Sequence, residues 1–176
     1  SNGRYSVVVT DSGAGYSAHD DLMLTRWRED SALDLWGSWL YLQDLDSGEL
    51  WSAAAQPCGP VPEEIVFSAS RAAFRQRHAG IHSHLDITVA AHDDVEIRLL
   101  DLANESPDER RIGITGYAEV ALAPAGDDLR HPAFSKLFVE AEDRPELPGL
   151  LLRRRPRAAG EAEQFVVQLL VRGPEQ

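Results

Sequence analysis

The sequence predicts an all-β fold, an antiparallel β-sandwich with little helix. The first observation is a period-2 alternation in Ile81–Val89. Ile81, Ser83, Leu85, Ile87 and Val89 share one face, and His82, His84, Asp86 and Thr88 share the other. Similar alternation recurs in residues 95–99 and 112–122. Turn-forming clusters also separate the apolar runs at roughly 8–12-residue spacing, which indicates antiparallel pairing and not βαβ units.

Each element follows from local signals. Residues 5–10 are short and β-branched, a strand. Residues 20–30 hold no sustained apolar period, and at most a turn or two of helix is expected at 32–35. Residues 37–44 and 50–53 flank Asp46-Ser47-Gly48 and form a hairpin. Residues 56–62 are a proline-rich loop, and 64–68 and 72–77 are short strands. His78-Ala79-Gly80 turns the chain into residues 81–90. In 95–104, Val95, Ile97 and Leu99 are expected to face inward, with Leu100 and Leu102 marking a bulge or cover on both faces. Residues 111–122 read as one long strand and 123–132 as a polar loop. Phe134 and Phe138 fall on one buried strand face. Strands at 149–154 and 165–171 complete the set, and residues 153–160 form an exposed turn.

The chain has 176 residues, the length of one domain that can bury a substantial core. Its entry straight into N-G-R-Y is expected of a piece of a larger multidomain enzyme. Asp and Glu outnumber Lys and Arg by 29 to 17, a net charge of −12. That balance argues against nucleic acid and against anionic membrane as partners. No apolar run reaches the roughly 18 residues of a membrane helix. Cys58 is the only cysteine, so an intrachain disulfide is excluded, and no cation beside it activates the thiol.

Residues 13–44 concentrate the polar chemistry. Gly13 and Gly15 permit positive φ and a close backbone approach. Tyr16 and Ser17 follow, and Arg26, Trp27 and Arg28 set two cations around an indole. Three of the four tryptophans lie here. Aromatic rings cover the apolar C–H faces of a pyranose while charged groups hydrogen-bond its hydroxyls. The same residues also suit an ordinary aromatic core corner with a surface ion-pair network.

Several motifs run through the chain in order: N-G-R-Y-S-V-V-V-T at 2–10, G-A-G-Y-S at 13–17, and T-R-W-R-E-D at 25–30. W-S at Trp51 and Ser52, Q-P at Gln56 and Pro57, and H-P-A-F-S-K-L-F-V-E at 131–140 follow. Together they resemble the β-sandwich domain of the family 94 glycoside phosphorylases, formerly glycosyltransferase family 36. Within that family they are most similar to the phosphorylase-like region of cyclic β-1,2-glucan synthases. The resemblance implies a galactose-mutarotase-like supersandwich without catalytic residues. The catalytic aspartate and most of the phosphate site would sit on a separate (α/α)6 barrel of the parent chain. It implies β-linked glucan, that barrel and a second copy of the chain as partners, and a location in the cytoplasm or on the cytoplasmic side of a membrane-anchored parent. Tyr16, Ser17, Asp21, Arg26, Trp27, Arg28 and Gln56 are the expected contacts to sugar or to the neighbouring domain.

Other chemistries fit less well. Asp20/Asp21 and Glu29/Asp30 invite a glycosidase reading, but adjacent residues of an extended chain point apart, so neither pair alone flanks a bond. His82, His84 and Asp86 share a strand face and could seat a metal only with a fourth ligand such as His78 or His92. No metal or other cofactor is expected. His19 is a further candidate sugar contact. Ser17 and Ser83 lack a nucleophile elbow, and Arg153, Arg154 and Arg155 read as a solvated strand end. A free-standing carbohydrate-binding module and a small glycosidase remain the alternatives. A glycan array, or a barrel encoded downstream, separates them from the accessory-domain reading.

Overall fold

The computed structural model describes residues 1–30, 32–146 and 148–172. In chain order the elements are β1 (Tyr5–Val9), β2 (Gly15–His19), β3 (Leu22–Thr25), β4 (Trp39–Asp44), β5 (Leu50–Ser52), β6 (Glu64–Phe67), β7 (Arg71–His78) and β8 (Ile81–Val89). Then come β9 (Glu96–Asn104), β10 (Ile112–Tyr117), β11 (Val120–Pro124), α1 (Ala125–Arg130), α2 (Pro132–Lys136), β12 (Val139–Arg144), β13 (Gly149–Arg154) and β14 (Gln164–Leu169). The structure is nearly all-β, and its strand ladders with a stated register are antiparallel. The residues fall into two compact units, Ser1–Asp20 with Thr25–Glu119, and Asp21–Leu24 with Val120–Gln176.

The first unit is a sandwich. One layer is the sheet β10-β4-β5 and the other is the meander β6-β7-β8-β9, while β1 and β2 form an antiparallel pair. The alternation read from the sequence places Ile81, Leu85 and Ile87 in the core beside Leu42, Trp51 and Phe74. Val7 and Val9 of β1 pack against that cluster. Fully burying side chains of this size contributes roughly 1.5–3 kcal/mol each. Ala79 and Gly80, both at positive φ (50° and 78°), make the two-residue turn between β7 and β8.

The β4–β5 hairpin forms as the Asp46-Ser47-Gly48 signal predicts. Tyr41 pairs with Ser52 and Leu42 with Trp51. Asp44 closes the turn: its Oδ1 accepts the N–H of Asp46 at 2.8 Å and of Ser47 at 3.3 Å, and its Oδ2 accepts from Arg110. The Arg110 guanidinium, helped by these backbone donors, lowers the Asp44 carboxyl to about 2.

Gly13 and Gly15 do what the sequence predicts. Their φ values are 89° and 141°. A Cβ on Gly15 would lie 1.8 Å from the carbonyl oxygen of Val8, and one on Gly13 would lie 2.4 Å from the Ala54 methyl. Only hydrogen fits either place.

Four expectations need correction. In β9 it is Ile97 and Leu99 that face solvent, 45% and 54% exposed, with Val95 just before the strand also exposed at 47%. Glu96, Arg98, Leu100 and Leu102 turn inward, and the ladder from Ile81↔Asn104 to Val89↔Glu96 has no bulge. The cause is register. Partners in an antiparallel pair share a face, and six loop residues (90–95) set Ile87 opposite Arg98 and Leu85 opposite Leu100. Residues 111–122 are not one strand: the chain leaves β10 at Tyr117 and resumes as β11 at Val120, where the two units divide. Residues 15–25, for which no element is expected from local signals, contain β2 and β3, whose short, mixed sequences carry little alternation.

The other two corrections lie in the second unit, which holds β3 (all but Thr25), β11 beside it, α1, α2 and the sheet β12-β13-β14. The loop expected at 123–132 and the start of the strand expected at 135–142 are helical at α1 and α2, and that strand begins only at Val139 as β12. Phe134 and Phe138 do meet, at 5.1 Å between ring centres, but through i,i+4 spacing around a helical turn. Phe134 is exposed. Arg154 is not a solvated strand end but is buried. Its guanidinium donates to the carbonyls of Ala121 and Ser135 at 3.2 Å each and to Ser135 Oγ at 3.0 Å, and it lies over the Phe138 ring.

Two outcomes follow. Gly15→Ala combines a clash with backbone and a left-handed φ. It should lower unfolding free energy by roughly 2 kcal/mol or more, read from urea denaturation. For Asp44, the folded-state value lies below the ordinary 3.8, so its contribution is complete above about pH 4. That contribution is lost as pH falls toward 2. Asp44→Asn should lower stability at neutral pH and flatten the acid limb between pH 4 and 2. An acid limb with wild-type slope would refute this role.

Candidate functional site

After β3, residues 26–30 and 32–38 form no regular structure and wall a cleft of about 240 Å³. Arg26, Asp30, Leu35, Trp36, Gly37, Tyr117 and Glu119 line it, all in the first unit. Local hydrogen bonds build the wall. Asp30 Oδ1 accepts the N–H groups of Ala32 and Leu33, both at 3.1 Å, and the Asp30 carbonyl accepts the N–H of Asp34 at 3.0 Å. Asp-based turns of this kind shape a chain that has no ladder. The Gly15 N–H donates to the Trp36 carbonyl at 2.9 Å, and a Cβ on Gly37 would come within 3.0 Å of Ala14 Cα. The Gly15 N–H and the bare Cα of Gly37 therefore seat this stretch against β2 and the turn before it.

The floor is an ion pair. Arg26 donates from its backbone N–H to the Glu119 carbonyl at 2.7 Å and from its guanidinium to Glu119 Oε2 at 2.8 Å. Its side chain is only 2% exposed, against 27% for Glu119. The Tyr117 hydroxyl lies 3.5 Å from Glu119 Oε1, and the Tyr117 ring meets Tyr41 edge-on at 6.5 Å. Arg28 lies over the Trp36 ring at 5.3 Å, a cation–π contact. Rings, a paired guanidinium and carboxylates together suit a polyhydroxylated ligand with apolar C–H faces. Glu119 through Arg26, and Asp30 through the Ala32 and Leu33 N–H groups, hold the loop in place.

The structure brings only part of the sequence-predicted set to this cleft. Arg26 lines it, and Arg28 backs Trp36. Tyr16 and Trp27 pack on each other, ring centres 5.7 Å apart. Trp27 Nε1 and Arg28 Nε are buried and have no hydrogen-bond partner among the described residues. Ser17 is buried with its hydroxyl donating to Glu96. Gln56 is half-buried, its N–H on the Ser12 carbonyl at 3.0 Å. Asp21 is exposed and belongs to the second unit. His19 sits 3.1 Å from Asp94. Trp36 and Asp30 fell inside the aromatic-rich window and were within reach of sequence reasoning. Tyr117 and Glu119 carried no signal, because they reach Arg26 from 93 residues away in sequence for Glu119.

Behind the cleft lies a buried polar network. Glu96 accepts from Ser17 and, at 2.6 Å, from Arg98 Nε, and Arg98 also donates to the Ser38 carbonyl at 2.6 Å. Tyr5 is 7% exposed beside it. Burial, then the Glu96 charge, pushes its hydroxyl up to about 12. Burial also pushes the Cys58 thiol up. His84 Nε2 lies 3.3 Å from Asp86 Oδ1 on the outer face of β8, and no group of three His, Cys, Asp or Glu side chains converges to hold a metal among the described residues. No described helix is long and apolar enough to cross a membrane.

The antiparallel strands around a shared apolar core make the first unit a β-sandwich. The chain belongs to one family of such domains: residues 1–176 match the family described as Glycosyl hydrolase 94, supersandwich domain. It is 34% identical to cyclic beta-(1,2)-glucan synthase NdvB of Rhizobium meliloti (strain 1021) over 172 residues, 97% of this chain and 6% of that protein. It is 25% identical to the N,N'-diacetylchitobiose phosphorylase of Vibrio proteolyticus over 151 residues, 82% of this chain and 19% of that enzyme. The corresponding enzyme of Vibrio furnissii is 25% identical over 136 residues, covering 73% of this chain and 17% of its own length. The chain thus spans less than a fifth of each relative.

The Tyr5 network has a measurable consequence. The folded-state value exceeds the ordinary 10.0, so the stabilisation is complete below pH 10 and is lost as pH rises toward 12. Urea unfolding from pH 9 to 12 should show a falling stability that Tyr5→Phe flattens. An identical alkaline slope in the variant would exclude Tyr5 as its source.

Proposed function

We propose that this chain is the non-catalytic sandwich domain of a cytoplasmic glycoside phosphorylase or cyclic β-1,2-glucan synthase-like transferase. In that role it packs on an (α/α)6 catalytic barrel of the same parent, assists carbohydrate binding and takes part in dimer contacts. The observation that carries the reading is the match of residues 1–176 to a supersandwich family, while more than four-fifths of each relative's length lies outside the matched segment. The engagement of Asp30 and Glu119 in loop hydrogen bonds supports it, since glycosidic bond cleavage needs an acid and an attacking group placed within hydrogen-bond reach of the scissile oxygen.

The cleft favours a second reading, a carbohydrate-binding module that acts without a barrel. Both readings expect sugar affinity in the millimolar range, about −4 kcal/mol, because each hydroxyl contact in an open cleft competes with water. They part on parent activity. The purified chain should release no glucose 1-phosphate from β-1,2-glucan in the presence of inorganic phosphate. A parent enzyme lacking this segment should lose activity or assembly. Product from the purified chain alone would overturn the accessory-domain reading, and an unimpaired deletion would favour the independent module.

A further inference from the structure

We infer that the cleft of the first unit is a subsite for a single neutral pyranose unit and discriminates against phosphorylated sugars. The inference rests on the accessory-domain reading above and names the ligand of the cleft.

Size comes first. At about 240 Å³ the cleft is below the roughly 300–1,000 Å³ of pockets that enclose drug-sized ligands. One sugar ring is the matching size.

Surface chemistry comes next. Leu35 and Tyr117 are 43% and 46% exposed and form an apolar rim, and Trp36 completes the apolar lining. The Trp36 indole is held by Arg28 through the ring contact and by the Gly15 N–H through its backbone carbonyl, so it is in place before a ligand arrives. A preset ring loses little side-chain freedom on binding. Asp30 uses Oδ1 for the Ala32 and Leu33 N–H groups, while its Oδ2 accepts no hydrogen bond among the described residues. That oxygen can accept from a ligand hydroxyl.

Charge decides the class of sugar. A phosphate site needs donors not already committed to an anion. The cation that lines the cleft is Arg26, and its guanidinium is buried on Glu119. The next cation, Arg28, does not line the cleft: it lies over the Trp36 ring with its Nε buried. Against these two stand Glu29, Asp30, Asp34 and Glu119 in or beside the same loop. A dianionic phosphoryl group would meet a local excess of negative charge, whereas a neutral ring bears only hydroxyls.

The test is an NMR titration of this chain, following the tryptophan indole N–H signals with Trp36 assigned through Trp36→Phe. The probes are sophorose, a neutral β-1,2-linked disaccharide, and glucose 1-phosphate, at low ionic strength. Sophorose should shift the Trp36 indole at millimolar concentration. Glucose 1-phosphate should bind at least about 5-fold more weakly, with the gap narrowing as salt screens the carboxylates. Tyr117→Ala should weaken sophorose about 5-fold or more in a protein whose amide spectrum stays dispersed. Asp30→Asn keeps the turn, because asparagine caps as well as aspartate does, and should cut the discrimination to about 2-fold or less. Equal or tighter binding of glucose 1-phosphate would overturn neutrality. So would discrimination unchanged in Asp30→Asn. Absence of any Trp36 shift up to roughly 50 mM sophorose, or sophorose affinity unaltered by Tyr117→Ala, would overturn the cleft. None of these results bears on whether the chain alone releases glucose 1-phosphate, which decides the accessory-domain reading separately.

Discussion

The register of the β8–β9 hairpin is the constraint on which the first unit depends. It turns Glu96 and Arg98 into the sandwich and sends Ile97 and Leu99 out to solvent. Charges brought into low dielectric are tolerated only when paired and hydrogen-bonded. Here Arg98 bonds Glu96 and the Ser38 carbonyl, and Ser17 supplies a hydroxyl to Glu96. One inward pair thereby links three separate stretches: β2, β9 and the segment that leads into β4. Removing one partner would strand the other, so the network behaves as a unit.

The cleft is built from that linkage outward. Ser38 is held by Arg98, Trp36 is held by the Gly15 N–H, and Gly37 fits against Ala14 because it carries no side chain of its own. On the opposite wall, the β10–β4 ladder places Tyr117 across from Trp39 and brings Glu119 under Arg26. The aromatic window of the sequence is thus divided in two. Tyr16 and Trp27 pack on each other, and Trp36 lines the cleft.

The family assignment and this geometry agree in kind. The family match runs along residues 1–176 and corresponds to 6% of a glucan synthase and 19% of a phosphorylase. Under the accessory-domain proposal weak contacts suffice, because tethering to a second domain raises effective concentration.

The sequence by itself determined the all-β class, the β7–β8 and β4–β5 turns, the core face of β8 and the glycine positions. Each of these is a local property: period-2 alternation, turn chemistry, or the absence of a Cβ. The ordered motifs also determined the family, which the match over residues 1–176 bears out. Tertiary structure alone decided which face of β9 turns inward, since alternation defines two faces without saying which one is buried, and a six-residue loop chose. It alone decided that Arg154 lies buried on Ser135 and that Phe134 and Phe138 meet around a helical turn. It alone joined Arg26 to Glu119, because a contact across 93 residues depends on strand pairing that no local pattern encodes.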